Sequence, residues 1–151
     1  MKKYTLVLIA FAFIAFVKPA KAQTAPAAFT GATPKLAHYD ALYTLNSGDD
    51  AKIKTIFRSI NHAMEDPRLK GKLQIELIVF SDGVAAYMKN GPYEKQLKEL
   101  LDKGVILAQC NNTIVQRNIA RTDLFPFVSF VPSGNGEIIL RQYDGWAVVN
   151  L

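Results

Sequence analysis

The sequence predicts an α/β protein with five mostly parallel strands and helices on both faces of the sheet. Short apolar segments typical of strands alternate with amphipathic helical segments from residue 36 onward. The second apolar segment becomes uniformly apolar towards its end, which indicates a strand covered on both faces. Because parallel strands are joined by right-handed crossovers, we expect a three-layer α/β/α, flavodoxin-like fold with the strand order 2-1-3-4-5.

The first 22 residues have the layout of a secretory signal peptide. Lys2 and Lys3 open the chain, residues 4–17 form an apolar run of 14 residues, and a small-x-small pattern ends at Ala22. This run is short for a membrane-spanning helix, and an uncleaved N-terminal anchor is the alternative. We therefore expect a bacterial protein that is periplasmic or secreted, with no stable membrane insertion after cleavage.

Removal of this segment changes the charge of the protein. Four of the 18 Lys and Arg residues precede position 23, so 14 basic residues oppose 13 acidic ones and the net charge falls from +5 to +1. There is no basic stripe with interleaved aromatic residues, and we expect no nucleic acid partner. Residues 23–35 are rich in Ala, Thr, Pro and Gly and predict a flexible leader. Residues 36–151 are long enough for one domain with its own core.

The first strand and the first helix are expected between residues 36 and 64. Residues 36–45 alternate partly and favour a strand, and the loop after them ends in residues that cap helices well. Residues 51–64 have the clearest helical pattern in the chain, because their apolar side chains form one stripe at helical spacing. The stripe consists of Ile53, Ile56, Phe57, Ile60, Ala63 and Met64.

The middle of the chain predicts a strand, a short helix and a longer helix. Residues 73–80 favour the second strand, and residues 84–89 favour a short helix after the turn that follows it. Residues 93–103 place their apolar side chains on one face of a further helix. Gly104 is typical of the position just after a helix C-terminus.

The last third of the chain continues the alternation. Residues 105–109 favour the third strand and residues 113–120 a short helix. Residues 127–131 favour the fourth strand, which Pro and Gly end. Residues 135–143 have apolar positions at helical spacing, and residues 146–150 favour a short fifth strand.

The third strand leads into Cys110, the only cysteine of the sequence. In an open parallel sheet, ligands bind beside the carboxyl ends of the strands, and the free N–H groups of a following helix favour a thiolate. A lone thiol in an exported protein either pairs with another chain or is reactive. We therefore expect any chemistry of this protein at Cys110. The alternative is an inert cysteine that packs as a small apolar side chain.

Several polar residues are expected near Cys110, because they follow strands at the same edge of the predicted sheet. They are Asn46, Ser47, Ser81, Asp82, Asn112, Thr113 and Ser133. Structural roles are the alternative: Asp82 as a turn residue, Asn46 as a loop cap and Asn112 as a helix cap. The two histidines and the cysteine lack the spacing of a metal site, and no glycine-rich phosphate loop is present. We expect neither a metal nor a cofactor.

Six segments, in their order and spacing, resemble the DsrE/DsrF-like family of small α/β proteins of bacterial and archaeal sulfur metabolism. They are IELIVF (75–80), GPY (91–93), LDKGV (101–105), CNNT (110–113), VPSG (131–134) and YDGW (143–146). The most specific feature is Lys-Gly-Val followed by a strand, a cysteine and Asn-x-Thr. The resemblance covers residues 36–151.

This resemblance implies a role in handling sulfur. In the sulfur-relay subunits of the family, a cysteine at the end of the third strand carries a persulfide, and Cys110 occupies the matching place. The protein would then be a sulfur carrier, sulfurtransferase or thiol-exchange protein, with a donor or acceptor protein or a small sulfur compound as partner. The resemblance also implies trimers or hexamers. The alternative is a non-catalytic ligand-binding or oligomeric scaffold protein that retains only the fold.

Overall fold

The computed structural model describes residues 30–151. The predicted signal peptide, residues 1–22, and most of the predicted leader lie outside the described residues. Residues 30–38 contain no helix or strand, and the chain forms one compact unit from Thr33 to Leu151. None of the helices in residues 30–151 has the length and hydrophobicity that a bilayer span requires.

Strands and α-helices alternate along the described chain, which confirms the predicted α/β class. In chain order they are β1 (Tyr39–Leu45), α1 (Asp50–Glu65), β2 (Leu73–Val79), α2 (Glu94–Asp102), β3 (Ile106–Cys110), α3 (Asn111–Gln116), β4 (Ser129–Val131), α4 (Gly134–Tyr143) and β5 (Ala147–Asn150). Two 3-10 helices, Ser81–Tyr87 and Arg121–Asp123, lie between them. The first of these overlaps the short helix predicted at residues 84–89 and begins earlier, where the chain turns at Ser81.

All strand pairs are parallel, but the strand order is β4-β3-β2-β1-β5 and the predicted order 2-1-3-4-5 is wrong. Right-handed crossovers through helices on one face of a sheet carry successive strands in one direction. Helices α1, α2 and α3 pack on the same face, so β2, β3 and β4 follow β1 in line. Helix α4 packs on the opposite face, and the crossover through it returns β5 to the free side of β1.

This order changes which strand ends are neighbours. The predicted order makes β1 and β3 adjacent, but β2 lies between them. The carboxyl ends that surround Cys110 are therefore those of β2 and β4.

The two faces of the sheet bury cores of unequal size. The larger core lies under α1 and α2 and contains fully buried side chains such as Leu77 and Leu97. On the opposite face, Leu42, Ile78 and Ala108 form a smaller buried cluster beside α4. Because hydrophobic stabilisation scales with buried apolar area, most of it comes from the first face.

Helix α1 follows the sequence pattern closely. The Asp49 carboxylate accepts a hydrogen bond of 2.9 Å from the Lys52 N–H and caps the helix N-terminus. The apolar stripe faces the sheet, and its buried members are Ile53, Ile56, Phe57 and Ile60. The predicted amphipathic helix is confirmed, with ends one residue beyond the predicted range on each side.

Candidate functional site

An open cavity of about 260 Å³ lies at the carboxyl edge of the sheet, where β2, β3 and β4 end. It is lined by residues at or just after the strand ends, by both ends of the short helix α3 and by the first turn of α4. The lining residues are Phe80, Ser81, Cys110, Asn112, Thr113, Gln116, Arg117, Ser133, Gly134 and Asn135. Most of these side chains are polar, so the cavity suits a small polar ligand.

Cys110 is the last residue of β3 and directly precedes α3, as the sequence predicts. It is only 5% exposed and lines the cavity, so a reagent would reach its thiol from there. Burial raises the pKa of the thiol. Hydrogen bonds from the Thr113 hydroxyl and from the N–H groups of Gly134, Thr113 and Asn112 outweigh the burial, and the pKa lies below its ordinary value.

Thr113 connects the thiol to the segment that follows β2. Its side chain is buried, and its hydroxyl oxygen accepts a hydrogen bond of 3.0 Å from the Ser81 N–H. Ser81 has a φ of 52°, a left-handed conformation that few residues other than glycine adopt. Because the Ser81 N–H already approaches the Thr113 oxygen, the hydroxyl proton is free to point at the Cys110 sulfur.

The N-terminus of α4 forms another wall of the cavity. The Ser133 hydroxyl accepts a hydrogen bond of 3.3 Å from the Gly136 N–H and caps the helix. Gly134 packs directly on Phe80, and a Cβ at position 134 would lie only 3.2 Å from the Phe80 Cβ. The Gly134 N–H is one of the groups that lower the pKa of the Cys110 thiol.

Two arginines, Arg117 and Arg121, follow α3. Arg117 lines the cavity, and its guanidinium donates to an Asp82 carboxylate oxygen at 2.6 Å. Arg121 donates to the Asn111 side-chain oxygen at 2.7 Å. Arg117 brings a cationic group to the cavity that would attract an anionic ligand, although the carboxylate of Asp82 offsets part of its charge.

The structure brings five of the eight predicted site residues together in the cavity. They are Ser81, Cys110, Asn112, Thr113 and Ser133. Asp82 does not line the cavity but holds Arg117, which does. Asn46 and Ser47 follow β1, on the other side of β2, and the Ser47 hydroxyl accepts a hydrogen bond of 3.2 Å from the Asp49 N–H.

Sequence reasoning did not single out five of the lining residues. They are Phe80, Gln116, Arg117, Gly134 and Asn135. Gly134 had a signal, because a Ser-Gly pair between a strand and a helix indicates a capped helix N-terminus. Gln116 and Arg117 had none, since polar residues on a short helix are ordinary surface residues.

The described residues offer no metal centre. Within residues 30–151, no group of three His, Cys, Asp or Glu side chains lies close enough together to hold a metal ion. His38 pairs with Asp40 at 3.0 Å near the start of β1, far along the strands from Cys110, and His62 lies on α1.

Comparison with known proteins identifies relatives at the level of family and fold. The family model of the DsrE/DsrF-like family matches residues 39–151. A solved structure of MTH1491, a protein of unknown function from Methanobacterium thermoautotrophicum, is similar with a TM-score of 0.71 and 26% identity. The match covers 75% of this chain and 99% of that one.

Two further structures share the fold alone, because their identity is low. The ychN protein from E. coli matches with a TM-score of 0.56 and 16% identity, over 76% of this chain and 99% of its own. BT1422 from Bacteroides thetaiotaomicron matches with a TM-score of 0.54 and 10% identity, over 74% and 94%. Comparison with curated proteins found no match.

Proposed function

Because the chain belongs to the DsrE/DsrF-like family, we propose that it is a sulfur carrier, sulfurtransferase or thiol-exchange protein with Cys110 as its nucleophile. The observation that carries the proposal is the position of the thiol in a polar cavity, where one hydroxyl and three backbone N–H groups donate to its sulfur. These donors favour the thiolate, which is the nucleophilic form of cysteine.

The proposed transfer has two balanced steps. The Cys110 thiolate attacks the outer sulfur of a donor persulfide, the S–S bond of the donor breaks, and the donor leaves as a thiolate with the bonding electron pair. Cys110 then carries a persulfide. An acceptor thiolate attacks the outer sulfur of that persulfide, and Cys110 is released as a thiolate again. No net oxidation or reduction occurs over the two steps.

The cavity suits both the resting thiolate and the loaded persulfide. The N–H groups of Gly134, Thr113 and Asn112 supply fixed partial positive charge without any movement of side chains. The volume of about 260 Å³ lies just below the usual range for drug-sized ligands of roughly 300–1,000 Å³. A small sulfur compound, or the persulfide tip of a donor protein, is therefore the fitting substrate class.

Intact-protein mass spectrometry with thiol labelling tests the proposal. Incubation with a persulfide donor should add one or more sulfur atoms to the native protein, and a Cys110→Ala variant should gain none. Alkylation of Cys110 across pH should proceed well below the ordinary thiol pKa of about 8.5. Alkylation that begins only on unfolding, with no gain of sulfur, would contradict the proposal.

A non-catalytic oligomeric scaffold is the second candidate, and exposed apolar residues on α4 and β5 favour it. Tyr143 is 89% exposed, and Ile139, Leu140 and Val148 are also exposed. Large apolar side chains that cluster on a surface mark sites of association. We propose that a second copy of the chain covers them, in line with the trimers or hexamers that the family resemblance implies.

Light scattering on the purified protein tests this association. The parent should be oligomeric, and a Leu140→Ser, Tyr143→Ser variant should shift towards the monomer while its circular dichroism is unchanged. A monomeric parent at high protein concentration would exclude the oligomer. If Cys110 reacts with thiol reagents in the oligomer, the protein both associates and handles sulfur. If subunit contacts close the cavity and Cys110 does not react, the non-catalytic scaffold is favoured.

We also propose that the protein is exported, on the basis of the signal-peptide pattern in residues 1–22. Its sulfur donor and acceptor would then be compounds or proteins of the periplasm or the exterior. The mass of the protein recovered from a periplasmic or culture extract tests this point. A chain that begins at Gln23 is expected, and a full-length chain in the membrane fraction would support the uncleaved anchor.

A further inference from the structure

A single carboxylate interrupts the apolar interior of β2. Glu76 is only 1% exposed and lies in the central strand of the sheet, in register with Leu42 of β1 and Ile106 of β3. Its side chain points to the face that α4 covers, because α4 supplies its partners. Burial of an unpaired carboxylate is costly, so the position needs a cation.

Arg141 of α4 supplies that cation. Its Nε donates to Glu76 Oε2 at 2.8 Å, and its Nη2 forms an ion pair with the same oxygen at 2.6 Å. Glu137, one helical turn earlier, forms a further ion pair, with its Oε1 2.9 Å from the Arg141 Nε. The guanidinium also lies 4.2 Å from the centre of the Trp146 ring. The arginine is thus held by the sheet, by its own helix and by the segment after the helix.

The same helix begins beside the thiol. Gly134 is the first residue of α4 and lines the cavity together with Cys110, and its N–H is one of the groups that lower the pKa of the thiol. Arg141 lies seven residues later, which is about 10 Å along the helix axis at about 1.5 Å per residue. A helix of this length moves as one body. An anchor at Arg141 therefore also determines where the Gly134 N–H lies.

We propose that the Glu76–Arg141 ion pair is a positioning device for the thiol site: it holds α4 so that Gly134, with its N–H group, lies beside Cys110 in the cavity. This inference rests on the proposed function, since it concerns the reactivity of Cys110. Hydrogen bonds weaken steeply with distance and angle, so a small slide of α4 would remove this donor. Glu76 and Arg141 touch no reacting atom and are positioning residues.

Stability alone does not account for this ion pair. A buried ion pair is weak evidence for stability, because an apolar pair of similar volume serves a core as well or better. Glu76 Oε1 has no hydrogen-bond partner among the described residues, which is a further cost of keeping the carboxylate. A directional contact between sheet and helix has a use that apolar packing lacks, because it specifies one position of α4 along its axis.

The test is a double variant, Glu76→Met with Arg141→Met, which replaces the ion pair by apolar side chains. The variant should remain folded. Its rate of Cys110 alkylation at about pH 6 should fall about fivefold, and the rate at about pH 10 should be unchanged, since loss of one N–H donor raises the thiol pKa. Glu76→Gln, which removes only the charge, should shift the pH profile in the same direction.

Glu65→Gln is the matched control. Glu65 of α1 pairs with Lys103 at 2.9 Å, so this variant also removes an ion pair between two parts of the chain, but none that involves α4. Its alkylation profile should match that of the parent. A folded double variant with the parental pH profile would overturn the positioning role, as would loss of the fold in both Glu76 variants.

The reactivity of the parent protein separates a failure of the positioning role from a failure of the proposed function. If the parent protein itself reacts only on unfolding, Cys110 is not a nucleophile and the proposed function fails first. If the parent reacts at low pH and gains sulfur, but the double variant behaves identically, only the positioning role fails.

Discussion

Thr113 is the one side-chain donor to the Cys110 sulfur among the described residues. The hydroxyl has a single proton, and its oxygen already accepts from the Ser81 N–H at 3.0 Å. Ser81, a residue in the left-handed conformation just after β2, is thereby linked to the thiol through the Thr113 side chain. The pKa of Cys110 should therefore respond to a change at Thr113 that leaves the cysteine untouched.

A Thr113→Val variant should raise the pKa of Cys110, because valine has the shape of threonine but donates no hydrogen bond. A hydrogen bond of ordinary net strength corresponds to a rise of about 0.5–1 pKa unit. Alkylation at about pH 6 should therefore slow about three- to tenfold. The measurement is the alkylation rate of the native protein across pH.

Thr113→Ser is the matched control, since it retains the hydroxyl and loses only a methyl group. It should keep most of the parental alkylation rate below the thiol pKa. Equal rates for the parent and both variants would show that the backbone N–H groups alone set the reactivity.

The sequence predicts some of the important residues of the structure and gives no signal for others. The position of Cys110 at the end of a strand was predicted correctly, because an apolar run and helix-capping residues surround it. The buried Glu76 had a weaker signal, a single acid within LQIELIV. Its partner Arg141 had none, because 65 residues separate the two and only the fold brings them together.

The 3-10 helix Ser81–Tyr87 is held to β1 by a close approach of two backbones. A Cβ at Gly83 would lie 2.3 Å from the Leu45 carbonyl oxygen, a distance that no side chain tolerates. Only glycine fits at position 83, because any Cβ would clash with the Leu45 carbonyl. The Ser-Asp-Gly pattern predicts a turn but does not reveal this contact with β1.

Gly83→Ala should therefore lower the free energy of unfolding by about 2–3 kcal/mol, since the added methyl group must displace backbone. Gly136→Ala is the contrasting variant. Its Cβ would meet only the Ser133 side chain at an ordinary distance of 3.4 Å, and alanine in place of glycine favours a helix by about 0.5–1 kcal/mol. Urea unfolding of the two variants measures both effects, and opposite signs are expected.

Equal destabilisation by both glycine variants would contradict this contrast. It would mean that the first turn of α4 is as sensitive to added volume as the contact at Leu45.

At the scale of the whole molecule, acid should destabilise the fold through surface carboxylates. The hydrogen bond from Lys54 lowers the pKa of Asp50, the hydrogen bond from Lys103 lowers that of Glu65, and Arg68 lowers that of Asp66 to about 2. Each folded pKa lies below its unfolded value. The folded protein thus binds fewer protons, and the stability from these groups, complete at neutral pH, is lost as the pH falls.

The urea midpoint should accordingly fall as the pH drops from about 5 towards about 2. An Asp66→Asn variant should lose part of this pH dependence, because the amide cannot ionise. Burial raises the pKa of Glu76, although Arg141 opposes it, and Glu76 therefore acts in the opposite direction. An Asp66→Asn variant with the full parental slope would exclude Asp66 as a contributor.

Local patterns in the sequence specify the alternation of strands and helices, the apolar stripe of α1 and the position of Cys110 at a strand end. These features depend on local periodicity and capping, which neighbouring residues specify. The strand order, in contrast, depends on how the helices pack on the sheet. A helix with an apolar stripe can cover either face of a sheet. Because α4 packs on the face opposite to α1, α2 and α3, the crossover through it places β5 beside β1.

The assembly of the site around Cys110 also depends on tertiary packing. The N–H of Gly134 reaches Cys110 only because β4 and α4 return to the edge where β3 ends. The contacts of Arg117 with Asp82 and of Arg141 with Glu76 likewise join distant segments. Local sequence specifies which groups a segment offers, whereas the packing of helices on the two faces of the sheet specifies which of those groups meet.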